Sequence, residues 1–395
     1  MISVNEAIEK IRSHTNLLAP VLTPLAEAAG LVLAEDVFAK TAVPNFNQSA
    51  MDGYALRYDD LIKGKKFILS HEIAAGDRTN ILTPEQNAVR IFTGAAVPKE
   101  LDTVVMQEKV ELENGKLIVL DDQLMKGSNV RLMGSEINKG ELALQKNTFL
   151  SPAAIGFLAM IGINEVLVYP KPLVHIIITG NELMNVEQSL HEGNVYESNS
   201  VLLKSALKQL HIDNVTIHFV ADDLNETKQL ISKALLSADL VLLTGGVSVG
   251  KYDFVVQAAE ACGITQLFHK VKQRPGKPLY AGTKNDKIIF GLPGNPASVL
   301  SCFYNYVTSA IECMTGQKNI VSKKWLPLSD AVSKKIRLTQ FLKARCDDTK
   351  VTPLSAQESF RLSSFSLANC LIILPEEKLD FAEGEMVETL VLPYL

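Results

Sequence analysis

Ala238-Asp-Leu-Val-Leu-Leu-Thr244-Gly-Gly-Val-Ser-Val-Gly250 is a short, almost continuous apolar run that ends in a glycine turn. A strand buried on both faces reads this way, because neither side of its pleat meets water. Two further runs have the same form, Val174-His-Ile-Ile-Ile-Thr179 and Lys287-Ile-Ile-Phe-Gly291. Helical periodicities lie between and after them, over Ser200–Leu210, Leu224–Leu236, Phe254–Cys262 and Pro296–Ile311. Buried strands alternating with helices predict a parallel sheet covered by helices over residues 170–318.

Working outward, Ser3 and Glu6 have capping-box spacing, and Val4, Ala7, Ile8 and Ile11 recur at helical intervals. A second helix is expected over Leu22–Asp36, and Pro44 with the polar Asn45–Ser49 closes that region. Residues 44–136 are β-rich, and Asn114-Gly115 between Val110-Glu-Leu-Glu113 and Lys116-Leu-Ile-Val119 predicts a hairpin. At Ser151-Pro152 serine suits an N-cap and proline the first helical position. The run that follows, to Ile161, is almost wholly apolar and is expected to be buried. The simplest organisation is one discontinuous helical domain, residues 1–43 and 137–169, interrupted by a β-rich insertion over 44–136. Residues 319–395 hold short strands at close spacing and no long helix, which predicts a small β-barrel or sandwich. The fold class is multidomain α/β.

The chain of 395 residues is too long for one ordinary core. Apolar residues make up 47% and charged residues 21%, the balance of a globular chain rather than a disordered one. A net charge of −5 argues against a general affinity for nucleic acid or anionic membranes, so an anionic ligand has to be caught locally. The five cysteines are scattered without a C-x-x-C pair, so neither a disulfide framework nor a thiolate zinc site is expected. No secretory signal pattern opens the chain, and no apolar run approaches the roughly 20 residues of a membrane span. A cytoplasmic location is expected.

In an open α/β sheet, ligands sit beyond the carboxyl ends of the strands. Gly245 and Gly246 let backbone amides approach a phosphate there, and Ser248 adds a hydroxyl donor, although a plain tight turn would read the same. Gly291-Leu-Pro-Gly-Asn-Pro296 leads into a helix, with Asn295 suited to the N-cap and Pro296 to the first position. Lys270-Val-Lys-Gln-Arg-Pro-Gly-Lys277 places four cations within eight residues of an acidic protein. A charge run is usually a solvated face, but Pro275-Gly276 fixes a turn that holds Arg274 and Lys277, and guanidinium suits bidentate phosphate contact. Asp52, Glu182, Asp253 and the pair Asp222 and Asp223 supply carboxylates in loops near these elements, the last pair being also ordinary helix capping. Hard oxygen donors beside phosphate suit Mg²⁺ better than zinc. The residues alone therefore reach a phosphate-containing small ligand at the ends of a parallel sheet, with Mg²⁺, and not the reaction.

Taken together, the motifs resemble the molybdopterin molybdenumtransferases, the bacterial MoeA and gephyrin E-domain family. The resemblance is carried, in the family's order, by Pro44-Asn-Phe46, Ser49-Ala-Met-Asp-Gly-Tyr-Ala55, Phe92-Thr-Gly-Ala-Ala-Val-Pro98, Thr179-Gly180 with Glu182-Leu183, Thr244-Gly-Gly-Val-Ser-Val-Gly250, Arg274-Pro-Gly-Lys-Pro278, Gly291-Leu-Pro-Gly-Asn-Pro-Ala297 and Ser363-Ser-Phe-Ser-Leu-Ala-Asn369. It implies four domains, with a three-layer α/β/α nucleotide-fold domain at 170–318 and a C-terminal β-barrel at 319–395. It also implies an elongated homodimer in which one subunit's insertion faces the other's nucleotide-fold domain. The implied reaction takes adenylyl-molybdopterin and molybdate to molybdenum cofactor, releasing AMP.

Carried over residue by residue, the resemblance puts Asp52 and Thr93 on the cleft wall supplied by the insertion. It gives Glu182, Asp222, Asp253, Lys270, Arg274, Pro293 and Pro296 to the domain that holds the pterin and adenylate, and Ser359 to the terminal domain. Catalytic roles then fall to Asp52, Thr93, Glu182, Asp222 and Asp253, with Asp52 and Asp222 or Asp253 positioning Mg²⁺. Gly245, Gly246, Ser248, Lys270, Arg274, Lys277, Pro293, Gly294, Asn295, Pro296 and Ser359 hold the ligand. Three positions depart from the bacterial pattern: Gly134-Ser135-Glu136 replaces Gly-Glu-Asp, Arg274 replaces a frequent lysine, and Lys343 replaces a frequent arginine. Transient contact with a molybdopterin adenylyltransferase fits the same picture. Two other readings stay open here: a molybdopterin adenylyltransferase-like nucleotide enzyme, which shares the 170–318 type of domain, and a non-enzymatic scaffold.

Overall fold

In a computed structural model, residues 1–77, 82–246 and 254–393 are described and fall into two compact units. One gathers Met1–Val21, Gly30–Val32 and Val168–Leu395, and the other Leu22–Ala29 and Leu33–Leu167.

α1 (Val4–Ser13) opens the first unit. The Ser3 hydroxyl accepts the Glu6 amide at 3.2 Å and the Glu6 carboxylate accepts the Ser3 amide at 2.7 Å, completing the expected box, while Val4, Ala7 and Ile11 are buried. The helix expected over Leu22–Asp36 does not form. The chain makes a short strand at Val21–Pro24, one 3₁₀ turn at Leu25–Glu27 and a two-residue strand at Val32–Leu33. Pro24 pushes Thr23 before it out of the helical region, and Gly30 sits at φ +79°, a left-handed conformation that ends a helix.

The insertion carries β1 (Gly53–Leu56), α2 (Tyr58–Lys63), β2 (Lys66–Ile73), β3 (Asn87–Ile91), β4 (Thr103–Met106), β5 (Val110–Glu113) and β6 (Lys116–Val119). These strands pair in the order β4-β1-β3-β2-β6-β5, and only β2 and β3 run parallel. Alternate residues feed two cores, one around Tyr54, Leu56, Phe67 and Leu117, the other around Ala55, Val89, Ile91 and Val104. The predicted hairpin is present, with Asn114 and Gly115 at φ +51° and +76° joining β5 to β6. α3 (Pro152–Met160) starts at Ser151, whose hydroxyl accepts the Ala154 amide at 3.2 Å. Its expected burial is not found. Only Leu158 is buried within it, while Pro152, Ala153, Gly156, Ala159 and Met160 are exposed. Alanine and glycine make the run read as apolar while giving it little surface to hide.

The central sheet holds β7 (Val174–Thr179), β8 (Val215–Val220), β9 (Leu240–Thr244), β10 (Thr265–His269), β11 (Tyr280–Lys284) and β12 (Lys287–Leu292), paired in the order β8-β7-β9-β12-β11-β10. The sheet is mixed rather than wholly parallel. β8, β7, β9 and β12 run parallel, and β11 runs against both of its neighbours. Ile176, Ile178, Leu242 and Phe290 face a core shared with α4 (Asn199–Gln209) and the helical run from Pro296, and Ile177, Val241, Leu243 and Ile289 face α5 (Leu224–Ser237) and α6 (Phe254–Ala261). That is the three-layer arrangement. The run from Pro296 is α7 (Pro296–Cys302), a π-helical turn at Phe303–Val307 and α8 (Thr308–Thr315), ending at Gly316 with φ +67°.

Beyond it, β13 (Ser322–Pro327), β14 (Thr339–Cys346), β15 (Val351–Pro353), β16 (Cys370–Leu374) and β17 (Met386–Val391) pair as β15-β14-β16-β17-β13. A bridge between Leu328, just past β13, and Val351 on β15 joins the two ends, so the strands close on themselves around Leu326, Leu342, Ile372 and Val387. Gln273–Arg274, from the β10–β11 connection of the central sheet, pairs parallel with Thr339–Gln340 on β14. Among the described residues, no helix is long and apolar enough to cross a membrane.

Gly115 has open space around its α-carbon but a left-handed φ. Gly115→Ala should therefore cost about 1–2 kcal/mol through backbone strain alone. A lower urea midpoint at unchanged slope would register it.

Candidate functional site

Because β8, β7, β9 and β12 run parallel and in register, their carboxyl ends lie side by side: Thr179 opposite Val220, and Thr244 opposite Leu292. Four loops leave this edge. The first is Thr179-Gly180-Asn181-Glu182 and the second Ala221-Asp222-Asp223. They are tied together, since the Asn181 amide donates to Asp222 Oδ2 at 3.3 Å and the Asp222 amide donates to Asn181 Oδ1 at 3.1 Å. Asp223 is spent as a helix cap, its carboxylate accepting the Asn225 and Glu226 amides at 2.8 and 2.9 Å. Glu182 is exposed and anchored through its backbone, its carbonyl accepting the Val195 amide at 3.0 Å. A cleft of about 530 Å³ opens beside these loops, lined by Ile178, Asn181, Leu183, Met184, Glu197 and Phe219 among others.

The third loop begins at Gly245, with φ +89°. A Cβ there would lie 2.4 Å from the Thr179 carbonyl oxygen, so both the backbone conformation and the close approach require glycine. Gly246, at φ +56°, continues the turn. Ser248 and Asp253 lie outside the described residues. The fourth loop is Pro293-Gly294-Asn295. Asn199, the first residue of α4, spans the third and fourth, its Nδ2 donating to Thr244 Oγ1 at 3.2 Å and to the Gly294 carbonyl at 2.9 Å. Its Oδ1 is buried with no hydrogen-bond partner among the described residues. That acceptor is open to a donor from outside the described residues. The sequence reading missed Asn199. Its only signal was the polar Glu197-Ser198-Asn199 just ahead of a predicted helix.

Asn295 occupies the N-cap position of α7, but its side chain does not cap. Its Nδ2 donates instead to Ser359 Oγ at 2.9 Å, which brings that predicted residue to the glycine loops. The segment carrying Ser359 is held from below by Lys343. This lysine is 4% exposed, and its ammonium donates to the carbonyls of Ala356, Arg361 and Glu358 at 2.6, 2.9 and 3.3 Å. Burial lowers its pKa, yet three carbonyl dipoles replace the lost water. Lys343 is a scaffold for the loop rather than a ligand contact, so lysine in place of arginine forfeits no bidentate pair here.

Lys270 to Lys277 runs beside the same loops. Lys270 adopts φ +77°, its amide donates to the Leu279 carbonyl at 3.1 Å, and its carbonyl accepts the Ile2 amide at 3.3 Å. Lys272 is neutralised by Glu376 at 3.5 Å. Among the described residues, Lys270, Arg274 and Lys277 have no carboxylate within salt-bridge distance, and Arg274 and Lys277 are exposed. A Cβ on Gly276 would lie 3.6 Å from the Pro293 ring, so this cation turn abuts the fourth loop.

Asp52 and Thr93 belong to the other unit. Gly53 lies so flat on β4 that a Cβ would come 1.9 Å from the Val105 carbonyl oxygen, which fixes the chain next to Asp52. Asp52 Oδ1 accepts both the Thr93 amide at 2.7 Å and the Thr93 hydroxyl at 2.8 Å. That amide first, then the hydroxyl, with the Arg90 charge adding to them, hold the Asp52 carboxyl below the usual carboxylate range. The bonds favour the ionised form, so they persist at neutral pH and are lost as pH falls through the depressed value. Glu136 lines a second cleft, about 620 Å³, together with Pro44, Gln48 and Arg131.

Among the described residues, no three metal-ligating side chains gather at one point. Asp52 Oδ1 and Asp222 Oδ2 are engaged, and no hydrogen bond among the described residues engages the second oxygen of either. Thr93→Val removes the hydroxyl donor and keeps the amide. The Asp52 carboxyl should then titrate nearer its ordinary range in ¹³C NMR, and an unmoved midpoint would mean that the hydroxyl bond is absent.

Comparison with known proteins gives matches along nearly the whole chain. The family model described as the MoeA N-terminal region (domain I and II) matches residues 2–162, that of a probable molybdopterin binding domain matches 175–312, and that of the MoeA C-terminal region (domain IV) matches 326–392. A molybdopterin molybdenumtransferase of Haemophilus influenzae is 34% identical over 373 residues, covering 92% of this chain and 91% of that protein. One from Staphylococcus aureus is 31% identical over 401 residues, covering 99% and 95%. The crystal structure of a molybdopterin biosynthesis MoeA protein from Pyrococcus horikoshii superposes with a TM-score of 0.83 at 29% identity, covering 99% of this chain and 100% of that one. Matches that reach through the insertion and the terminal barrel leave no room for the shorter adenylyltransferase-like reading, and the chain belongs to the MoeA family of molybdopterin molybdenumtransferases, enzymes of molybdenum cofactor biosynthesis.

Proposed function

We propose that this transferase takes adenylyl-molybdopterin and molybdate as substrates, places molybdenum on the dithiolene and releases AMP. The observation that carries the reading is the edge of the central sheet, where two glycine loops are clasped by Asn199 with one acceptor left open. Beside them stand Lys270, Arg274 and Lys277, cations free of acidic partners among the described residues. Backbone amides of Gly245, Gly246 and Gly294, with these cations, would bind the phosphates and the incoming oxyanion. Asn295 and Ser359, already bonded to each other, would orient the adenylate side, with Pro293 and Pro296 shaping the loop.

The sulfurs that receive the metal belong to the substrate. This fits a chain whose Cys262, Cys302 and Cys370 are buried, burial pushing the Cys302 thiol up to about 12. Mg²⁺, when bound, would supply positive charge at the pyrophosphate as it is cleaved. Asp52 and Asp222 keep an uncommitted carboxylate oxygen for it, and Asp253, outside the described residues, is the third residue in this role. Thr93 holds Asp52 ionised and oriented, and Glu182 stands at the rim of the cleft beside β7.

The finer organisation is also part of this reading. Residues 1–43 with 137–169, 44–136, 170–318 and 319–395 would be four domains of a cytoplasmic homodimer, the insertion of one subunit completing the site of the other. Phe46, Met51, Leu132 and Met133, exposed in the segments that flank Asp52, are surface a second subunit would cover. A transient contact with the adenylyltransferase would deliver the substrate.

Reconstitution with adenylyl-molybdopterin, molybdate and Mg²⁺, followed by AMP release, tests the reaction. Asp52→Ala should cut turnover at least a hundredfold with an unchanged circular dichroism spectrum, and wild-type turnover would remove Asp52 from the mechanism. Arg274→Ala should raise KM about tenfold at similar kcat, as expected for a contact made equally to ground and transition states.

A further inference from the structure

Under the cation turn lies a polar pair that the reaction scheme leaves unused. Gln273 is 1% exposed and Tyr306 fully buried, both packed in the core under the helical run from Pro296. The Tyr306 hydroxyl donates to Gln273 Oε1. Gln273 Nε2 donates to the carbonyl of Gly276 at 2.8 Å, with the Cys302 sulfur 3.5 Å away as a weak second acceptor. Gln273 therefore closes its own turn from beneath, side chain to backbone three residues on. The turn also fits tightly against the helix, because a Cβ on Gly276 would meet the Cys302 sulfur at 2.6 Å. Tyr306 comes from the π-helical turn Phe303–Val307, a local change of pitch within an otherwise α-helical run.

Burying two amide–hydroxyl partners in apolar surroundings adds little net stability compared with packed hydrocarbon of the same shape. What it adds is a fixed position, because a Gly276 carbonyl facing the core has a partner only while the turn keeps its form. We propose that Tyr306 and Gln273 are positioning residues that set Arg274 and Lys277 in place for the phosphate-bearing substrate. The inference rests on the reading of those cations as ligand contacts. Arg274 is steadied on its other side by the pairing of Gln273–Arg274 with Thr339–Gln340. On the Lys277 side the Val271 amide donates to the Lys277 carbonyl at 3.0 Å, and the polar pair adds to these backbone ties the hold on the Gly276 carbonyl between the two cations.

Tyr306→Phe strands the Gln273 carbonyl oxygen without a donor and is expected to unfold at lower temperature. The decisive variant is the full-length double substitution Gln273→Leu with Tyr306→Phe, which removes both buried polar groups together. The expected result is a melting temperature lowered by a few degrees, because the Gly276 carbonyl loses its amide donor and keeps only the Cys302 thiol, with amide hydrogen exchange across residues 274–277 at least tenfold faster, and KM for adenylyl-molybdopterin about tenfold higher at kcat within twofold. Wild-type exchange in the double variant would overturn the proposal, showing that the pair only fills space. Faster exchange with an unmoved KM would also overturn the positioning role. If Arg274→Ala were silent as well, the failure would lie in the reading of the cations and not in the hold on the turn.

Discussion

At the carboxyl edge of the central sheet, the backbone of Gly245 passes so close to Thr179 that no side chain fits between them. That contact exists because β7 and β9 are parallel neighbours in register, Ile178 beside Thr244, so the turns that leave them start at the same height. The loops that leave this edge are arranged on this constraint. It sets the Gly-Gly loop within reach of Asn199, Asn199 reaches the Gly294 carbonyl, and Asn295 reaches Ser359. A chain of polar contacts therefore runs from the sheet edge to the terminal barrel, each made by a short side chain to a backbone group or hydroxyl.

Much of this was legible in the sequence because it rests on local rules. The capping box at Ser3, the hairpin at Asn114-Gly115 and the strands ending in Thr179 and Thr244 are all nearest-neighbour patterns, and each is present. The departures have separate physical causes. Leu22–Asp36 has helical spacing, but Pro24 and Gly30 break it. The antiparallel β11 carries the mixed small and polar residues Tyr280-Ala-Gly-Thr-Lys284, which an apolar-run search passes over. At the site, Asn199 and Asn181 act through partners more than 40 positions away in the chain, so nothing in their own neighbourhood announces them.

Lys343 shows how a substitution that looks chemically costly can be absorbed. A lysine offers three donors in a compact head where arginine offers a planar fork, and the loop around it presents three carbonyls to one point. The side chain is matched to what encloses it and not to a ligand. The same holds for Asp223, an acidic residue beside the cleft whose Oδ1 accepts two amides in starting α5.

The pairing of Gln273–Arg274 with β14 has a consequence for how this protein divides. Those two residues are an excursion from the central sheet, yet they serve as an edge of the barrel's own sheet. The barrel is thus not an appendage that evolution or a protein engineer could exchange at a single cut near residue 318. Any graft would have to carry a matching rim for the cation turn, and a truncation there would leave the turn's backbone facing water where it now faces a partner strand.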